Sequence, residues 1–64
     1  MPSTVIRSFE YDAETRELRV LFQSGRSYVY QQVPPETFDG MRRAFAKGEY
    51  FNAEIRDRFP FVRL

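Results

Sequence analysis

The chain has 64 residues, of which 11 are Phe or Tyr, and it contains no His, Cys or Trp. A chain this short forms one domain with a small core, and without cysteine it has neither disulfides nor thiolate metal sites to reinforce that core. The formal charge of +1 gives no strong electrostatic indication of a nucleic-acid partner. The composition therefore predicts a single domain over residues 1–64, with no metal and no cofactor, stabilised by aromatic packing.

Three strands are predicted in the first half of the chain. Residues 4–11 alternate loosely between apolar and polar side chains, and residues 17–23 alternate clearly. The polar segment 12–16 connects them as a turn. Gly25 supplies the positive φ that the next tight hairpin requires, and residues 27–33 form the third strand. The first half is therefore predicted to be a three-stranded antiparallel meander.

A first helix is predicted after the meander. Pro35 suits the first turn of a helix, because its missing N–H would have no partner there. Phe38, Met41 and Phe45 then recur at i, i+3 and i+7, which places them on one helical face. The pair Lys47-Gly48 is typical of a helix end, because a cation and then a glycine suit the last turn.

A second, shorter helix is predicted near the end of the chain. Phe51, Ile55 and Phe59 recur at i, i+4 and i+8. Asn52 is the expected N-cap and Pro60 ends the helix. The order β-β-β-α-α indicates an α+β fold in which both helices cover one face of the sheet. Four side chains are predicted to be buried in the core: Phe22, Phe45, Phe51 and Ile55.

The rings of Tyr28 and Tyr30 share one face of the third strand, and the hairpin register decides which face. A three-residue loop at positions 24–26 places Tyr28 opposite Phe22, with both rings on the core face. A two-residue loop at 25–26 turns both rings to the open face, because a one-residue slip exchanges the two faces of a strand. There they could stack on unpaired RNA bases. The first register is favoured because it keeps the strongest apolar residues together.

Four cations in the mildly basic C-terminal part of the chain are candidate phosphate contacts. Arg42 and Arg43 lie opposite the apolar face of the first helix. They are interpreted either as an ordinary solvated surface with an Asp39–Arg43 pair or, together with Lys47, as a basic edge, and the first interpretation is favoured. Arg58 has no evident structural role and is the fourth candidate.

No pattern in the chain indicates catalysis. There is no Walker-type glycine-rich loop, no EF-hand spacing and no paired nucleophile and base. A non-enzymatic protein with no small-molecule substrate is therefore predicted. The chain shows neither a signal peptide nor an apolar run near the roughly 20 residues that a membrane span needs, so a soluble, cytoplasmic protein without membrane association is expected.

Several short motifs occur together along nearly the whole chain. They are Tyr28-Val29-Tyr30, Lys47-Gly48, Phe51-Asn52, Ile55-Arg56 and Phe59-Pro60-Phe61. Together they resemble the KTSC domain, a small domain named for the C-terminus of some lysyl-tRNA synthetases that also occurs as stand-alone bacterial proteins. The resemblance implies an RNA-related context, and it implies no established catalytic or binding residues.

Two functions are therefore considered for the domain. The first is an RNA-binding module that combines phosphate contacts with base stacking. Its candidate residues are Arg42, Arg43, Lys47 and Arg58 for phosphates, and Tyr28 and Tyr30 for stacking. The alternative is a protein-interaction or self-associating module that uses an apolar patch around Phe59 and Phe61.

Overall fold

The structure is a computed structural model that describes residues 6–64, so the first two positions of the strand predicted from residue 4 lie outside the described residues. The elements follow one another along the chain as β1 (Ile6–Asp12), β2 (Glu17–Phe22), β3 (Ser27–Tyr30), α1 (Pro35–Arg43), α2 (Lys47–Glu54) and β4 (Phe61–Arg63). The strands form one antiparallel sheet in the order β1-β2-β3-β4. The α+β fold is confirmed, but the sheet has four strands instead of the predicted three.

The fourth strand is short and returns alongside β3. Its middle residue, Val62, lies opposite Val29. At one end, the Gln31 N–H donates to the Pro60 carbonyl at 2.8 Å. At the other end, the Leu64 N–H donates to the Ser27 carbonyl at 2.9 Å. Three residues are too few for a period-two pattern to be recognised, which explains why the sequence did not predict this strand.

The hairpin between β2 and β3 has a three-residue loop, as predicted, but the loop begins one residue earlier, at Gln23. The Phe22 N–H donates to the Arg26 carbonyl, and the Gly25 N–H donates to the Phe22 carbonyl, each at 2.9 Å. Gly25 has φ +93°. This left-handed conformation at the last loop position is the one that a three-residue hairpin requires.

The earlier loop moves the register by two residues. Tyr28 lies opposite Val20 and Tyr30 lies opposite Leu18, whereas the favoured prediction placed Tyr28 opposite Phe22. A two-residue shift keeps every side chain on its own face of the strand. The prediction was therefore wrong about the partners and right about the face, since both tyrosines lie on the core face.

The core lies between the sheet and the two helices. Its buried residues are Leu18, Val20, Tyr30, Val33, Met41, Phe51 and Ile55. The predicted burial of Phe51 and Ile55 is confirmed. Phe22 is only half-buried at the edge of this core. The predicted burial of Phe45 is wrong, because its side chain is fully exposed.

Phe45 is exposed because the helices divide the chain differently from the prediction. α1 ends at Arg43, and Ala44 has the extended conformation φ −68°, ψ 140°. Lys47 begins α2 instead of ending α1, and its Nζ donates to the Ala44 carbonyl at 2.9 Å. The cation therefore does serve the carbonyl end of α1, but from the next helix, and Asn52 lies inside α2 instead of capping it.

The two helices touch at Gly40. A Cβ atom at this position would lie 2.8 Å from Cζ of Tyr50, closer than real contacts allow. The Tyr50 hydroxyl donates to the Thr37 carbonyl of α1 at 3.0 Å. The glycine that weakens α1 by about 1 kcal/mol relative to alanine therefore lets an aromatic ring pack directly on the helix backbone.

Candidate nucleic-acid interface

An open pocket of about 560 Å³ lies where the β2–β3 hairpin, α2 and β4 meet. Its walls are aromatic, contributed by Phe22, Tyr28, Tyr30, Phe51 and Phe61. This volume falls within the range of sites that hold small ligands. We call this feature the aromatic pocket.

The rings of the aromatic pocket hold one another in place. Tyr28 packs edge-to-face against Phe22, with ring centroids 5.6 Å apart, and against Phe61 at 5.5 Å. Tyr30 packs edge-to-face on Phe51 at 5.2 Å. Aromatic pairs at these separations prefer this arrangement. Because Tyr28, Tyr30 and Phe61 stand on paired strands, the pocket presents a fixed aromatic surface.

The two tyrosine hydroxyls are available to a ligand. Neither Tyr28 nor Tyr30 makes a side-chain hydrogen bond within residues 6–64, and no polar side-chain atom of that region is buried without a partner. The hydroxyl of Tyr30 therefore reaches the water of the pocket, although the residue is only 4% exposed. Burial, and then the neighbouring phenol of Tyr28, raise the pKa of Tyr30, so the hydroxyl remains a neutral donor at physiological pH.

The rim of the pocket is polar and carries Arg26, Arg56 and Asp57. All three side chains are exposed, and none forms a hydrogen bond or ion pair with another residue in the described part of the chain. Two guanidinium groups and one carboxylate therefore stand at the mouth with their full bonding capacity available. Neither Arg26 nor Arg56 is among the cations predicted from the sequence.

The two cations predicted on α1 are already engaged with the same carboxylate. Arg42 Nη2 lies 2.6 Å from Asp39 Oδ1, and Arg43 Nη1 lies 3.0 Å from Asp39 Oδ2. Hydrogen bonds from Arg42 and then Arg43 lower the pKa of Asp39. This is the solvated helix face that the first interpretation described, including its Asp39–Arg43 pair.

The other two predicted cations also have intramolecular partners. Lys47 donates to the Ala44 carbonyl, and Arg58 Nε donates to the Ala53 carbonyl at 3.2 Å. None of the four predicted cations lines the aromatic pocket, whereas both predicted tyrosines do. The structure therefore groups Tyr28 and Tyr30 with a different pair of arginines, Arg26 and Arg56.

Residues 6–64 contain no group of three or more His, Cys, Asp or Glu side chains that could hold a metal ion. Neither helix in that range is long and apolar enough to cross a membrane. The expected absence of a metal and a cofactor stays a prediction.

Comparison with known proteins gives the family. The family model described as the KTSC domain matches residues 2–59. The chain belongs to the KTSC domain family. A crystal structure of a KTSC domain protein from Yersinia pestis superposes with a TM-score of 0.87 at 29% identity, covering 100% of this chain and 89% of that one. The resemblance inferred from the sequence motifs is therefore confirmed.

Relatives of the domain occur in two settings. A protein from Tsukamurella paurometabola is 36% identical over 62 residues, which cover 97% of this chain and 92% of that protein. A lysine–tRNA ligase from Nostoc punctiforme is 38% identical over 61 residues, which cover 95% of this chain. That match spans only 11% of the ligase. The KTSC domain therefore exists both nearly alone and as a small part of a much larger enzyme.

Proposed function

We propose that this KTSC domain is a non-enzymatic module that binds single-stranded RNA, and that the aromatic pocket takes one unpaired nucleotide. The observation that carries the proposal is the rim of the pocket, where the guanidinium groups of Arg26 and Arg56 form no hydrogen bond or ion pair within residues 6–64. Aromatic rings provide stacking surfaces for any base, and arginine binds phosphate through two parallel hydrogen bonds. The pocket offers both groups side by side.

The different exposure of Tyr28 and Tyr30 indicates a different role for each in the pocket. Tyr28 is half-buried and packs edge-to-face against Phe22 and Phe61, so of the two tyrosines it is the one whose ring a base can reach. Tyr30 is almost fully buried, and it contributes its hydroxyl as a hydrogen-bond donor. Stacking on one aromatic side chain contributes about 1–3 kcal/mol per base. We therefore assign stacking to Tyr28 and orientation of the base to Tyr30.

The four cations predicted from the sequence would serve the same module as secondary phosphate contacts: Arg42, Arg43, Lys47 and Arg58. Each would have to exchange or share an existing partner before it binds phosphate. For the α1 pair that partner is the charged Asp39, which bonds to both arginines. Asp57 at the rim of the pocket, in contrast, bonds to neither Arg26 nor Arg56. We expect these cations to contribute less to RNA affinity than the two arginines at the rim of the pocket.

The setting of the relatives supports this proposal. A matching domain forms part of lysine–tRNA ligases from Nostoc punctiforme and Trichormus variabilis, and enzymes of that name act on an RNA. This association agrees with the cytoplasmic location expected from the sequence, and it makes RNA the first partner to test.

Fluorescence anisotropy with a labelled single-stranded RNA, titrated at several salt concentrations, tests the proposal. Each phosphate contact contributes about −0.7 to the slope of log affinity against log salt. R26A/R56A should therefore flatten the slope by about 1.4. The matched control R42A/R43A removes the same charge from α1, which does not line the pocket, and it should flatten the slope by less. Tyr28→Ala should weaken binding about 5- to 160-fold.

Two results would contradict the proposal in different ways. Absence of saturable binding at low salt would remove RNA as the ligand. A larger effect of R42A/R43A than of R26A/R56A would keep RNA and move the site from the aromatic pocket to α1. Circular dichroism of each variant separates lost binding from lost folding.

A second function, protein interaction or self-association, is favoured by the apolar surface at the end of the chain. Phe61 is 52% exposed, Val62 48% and Leu64 66%. Phe59, in contrast, is half-buried and packs against the core. The patch expected around Phe59 and Phe61 is therefore proposed to extend from Phe61 towards Leu64.

A further inference from the structure

We propose that β4 is a self-association edge at which two copies of the chain pair in antiparallel register, so that Arg63 of each copy reaches the aromatic pocket of the other. The pairing would join two four-stranded sheets into one continuous sheet. This inference rests on the self-association candidate and deepens it by naming the occupant and the register.

Only alternate residues of β4 direct their backbone hydrogen-bonding groups towards β3. Pro60 and Leu64 bond towards β3, and Val62 pairs with Val29 between them. Backbone groups point alternately to the two sides of an antiparallel strand. The N–H and C=O groups of Phe61 and Arg63 therefore point away from β3, and no further strand of residues 6–64 lies on that side. An open edge of this kind is a template for another strand.

The side chains of β4 also favour contact with a second strand. Phe61 and Arg63 lie opposite Tyr30 and Tyr28 on the core face. Val62 therefore points to the face that carries no helix. Of the four large apolar side chains exposed among the described residues, three lie within the last four positions, 61–64. Such clustering at one strand is typical of an interaction surface.

Chemical complementarity selects a second copy as the partner and fixes the register. A two-fold axis at Val62 places Phe61 of one copy opposite Arg63 of the other, and it uses all four outward-pointing backbone groups of each strand. The guanidinium then lies beside an aromatic ring, which attracts a cation. An axis at Arg63 would set two like charges opposite each other, and an axis at Phe61 would align only one hydrogen-bonded pair.

The pairing changes the aromatic pocket. Phe61 forms one of its walls, so Arg63 of the second copy arrives beside that wall and adds a third guanidinium to those of Arg26 and Arg56. A site with three such groups favours an anionic ligand more strongly than the single chain does. Since the strand has only three residues, the interface is small and the association should be weak and concentration-dependent.

A single cysteine tests the register, because the natural chain has none. In the proposed pair the two Val62 residues face each other without hydrogen bonds, where Cα atoms are about 4.5 Å apart, and this separation suits a disulfide. Mild oxidation of V62C should give a covalent dimer. The control F45C carries a thiol at a more exposed position, in the α1–α2 connection, where no pairing is proposed. Cross-linking of V62C should be at least about tenfold faster than that of F45C.

A second variant tests the hydrogen bonds. Arg63→Pro removes an outward-pointing N–H but none that bonds to β3, and proline is tolerated on an edge strand. V62C/R63P should cross-link at the rate of F45C, with an unchanged far-ultraviolet spectrum. Equal cross-linking rates for V62C and F45C would overturn the proposal. No RNA enters this experiment, so its failure would leave the proposed RNA binding standing, and loss of RNA binding would leave the dimer standing.

Discussion

Two aromatic clusters lie on the same face of the sheet, and they differ in how their polar ends are used. Under α1, Tyr11 stacks on Phe38 with ring centroids 4.6 Å apart, and its hydroxyl donates to the Val33 carbonyl at 2.6 Å. In the aromatic pocket, the hydroxyls of Tyr28 and Tyr30 have no partner in the described chain. One cluster is closed by its own hydrogen bond, and the other is open.

Aromatic content alone does not distinguish a core from a binding surface. Both clusters contain stacked or edge-on rings that gain from leaving water. What distinguishes them is whether each polar atom has a protein partner, because a group without one keeps its bonding capacity for a ligand. Substitutions in the closed cluster should therefore affect stability, and those in the open cluster should affect binding.

The largest effect is expected at Phe38. Its ring contacts both Phe9 and Tyr11, so Phe38→Ala should leave a cavity and lower the free energy of unfolding by about 3 kcal/mol. Phe45→Ala is the matched control, and it should change stability by less than about 0.5 kcal/mol because that ring is fully exposed. Urea denaturation measures both values. Equal effects would contradict the observed end of α1.

A smaller effect on stability is expected at the β2–β3 hairpin, which borders the aromatic pocket. Gly25 has φ +93°, a conformation that a β-branched residue adopts only with strain. Gly25→Val should therefore destabilise the domain by about 1–2 kcal/mol. Gly25→Asn should retain most of the stability, since asparagine tolerates left-handed backbone. An unchanged urea midpoint for Gly25→Val would show that the loop is built differently.

A matched pair of hydroxyl deletions compares the two clusters directly. Tyr11→Phe removes the donor to the Val33 carbonyl and should lower the free energy of unfolding by about 1 kcal/mol. Tyr30→Phe removes a hydroxyl without a partner in the described chain, so its effect on stability should be close to zero. The reverse order in thermal or urea denaturation would show that the two clusters have been assigned the wrong roles.

The smallest expected effect is on how the free energy of unfolding depends on pH in alkaline solution. Burial raises the pKa of Tyr30 in the folded chain, so the native state holds a proton that the unfolded state loses above about pH 10. Stability should be unaffected by this group below that pH and should fall as the pH rises through the folded pKa. Tyr30→Phe should reduce the decline in stability above about pH 10. Tyr50, whose pKa burial also raises, should account for part of the remainder.

The sequence was sufficient for the fold class because its strongest signals are local. The glycine at position 25 located the second hairpin, and alternation along β2 assigned Tyr28 and Tyr30 to the core face. The exact partners were wrong, because the side-chain pattern repeats every two residues and cannot distinguish registers that differ by two. The last strand was missed because three residues carry no period.

Only the aromatic part of the candidate site was predicted from the sequence, because its arginines are far apart along the chain. The two tyrosines were identified from their spacing. Arg42 and Arg43 are candidates because they lie on the exposed face of the first helix, and the expected pair with Asp39 engages both of them. Arg26 and Arg56 are isolated along the chain, and only the tertiary structure brings them to one pocket. Whether an arginine already has an intramolecular partner can be read only from the folded structure.

The contact between Gly40 and Tyr50 has a consequence for how this chain can diverge. Any side chain at position 40 must displace the ring at position 50 and with it the hydrogen bond to the Thr37 carbonyl. The two positions are therefore not free to drift one at a time. A larger residue at position 40 is accommodated with least disturbance after a smaller side chain has replaced the ring at position 50, so one order of substitutions is favoured over the other.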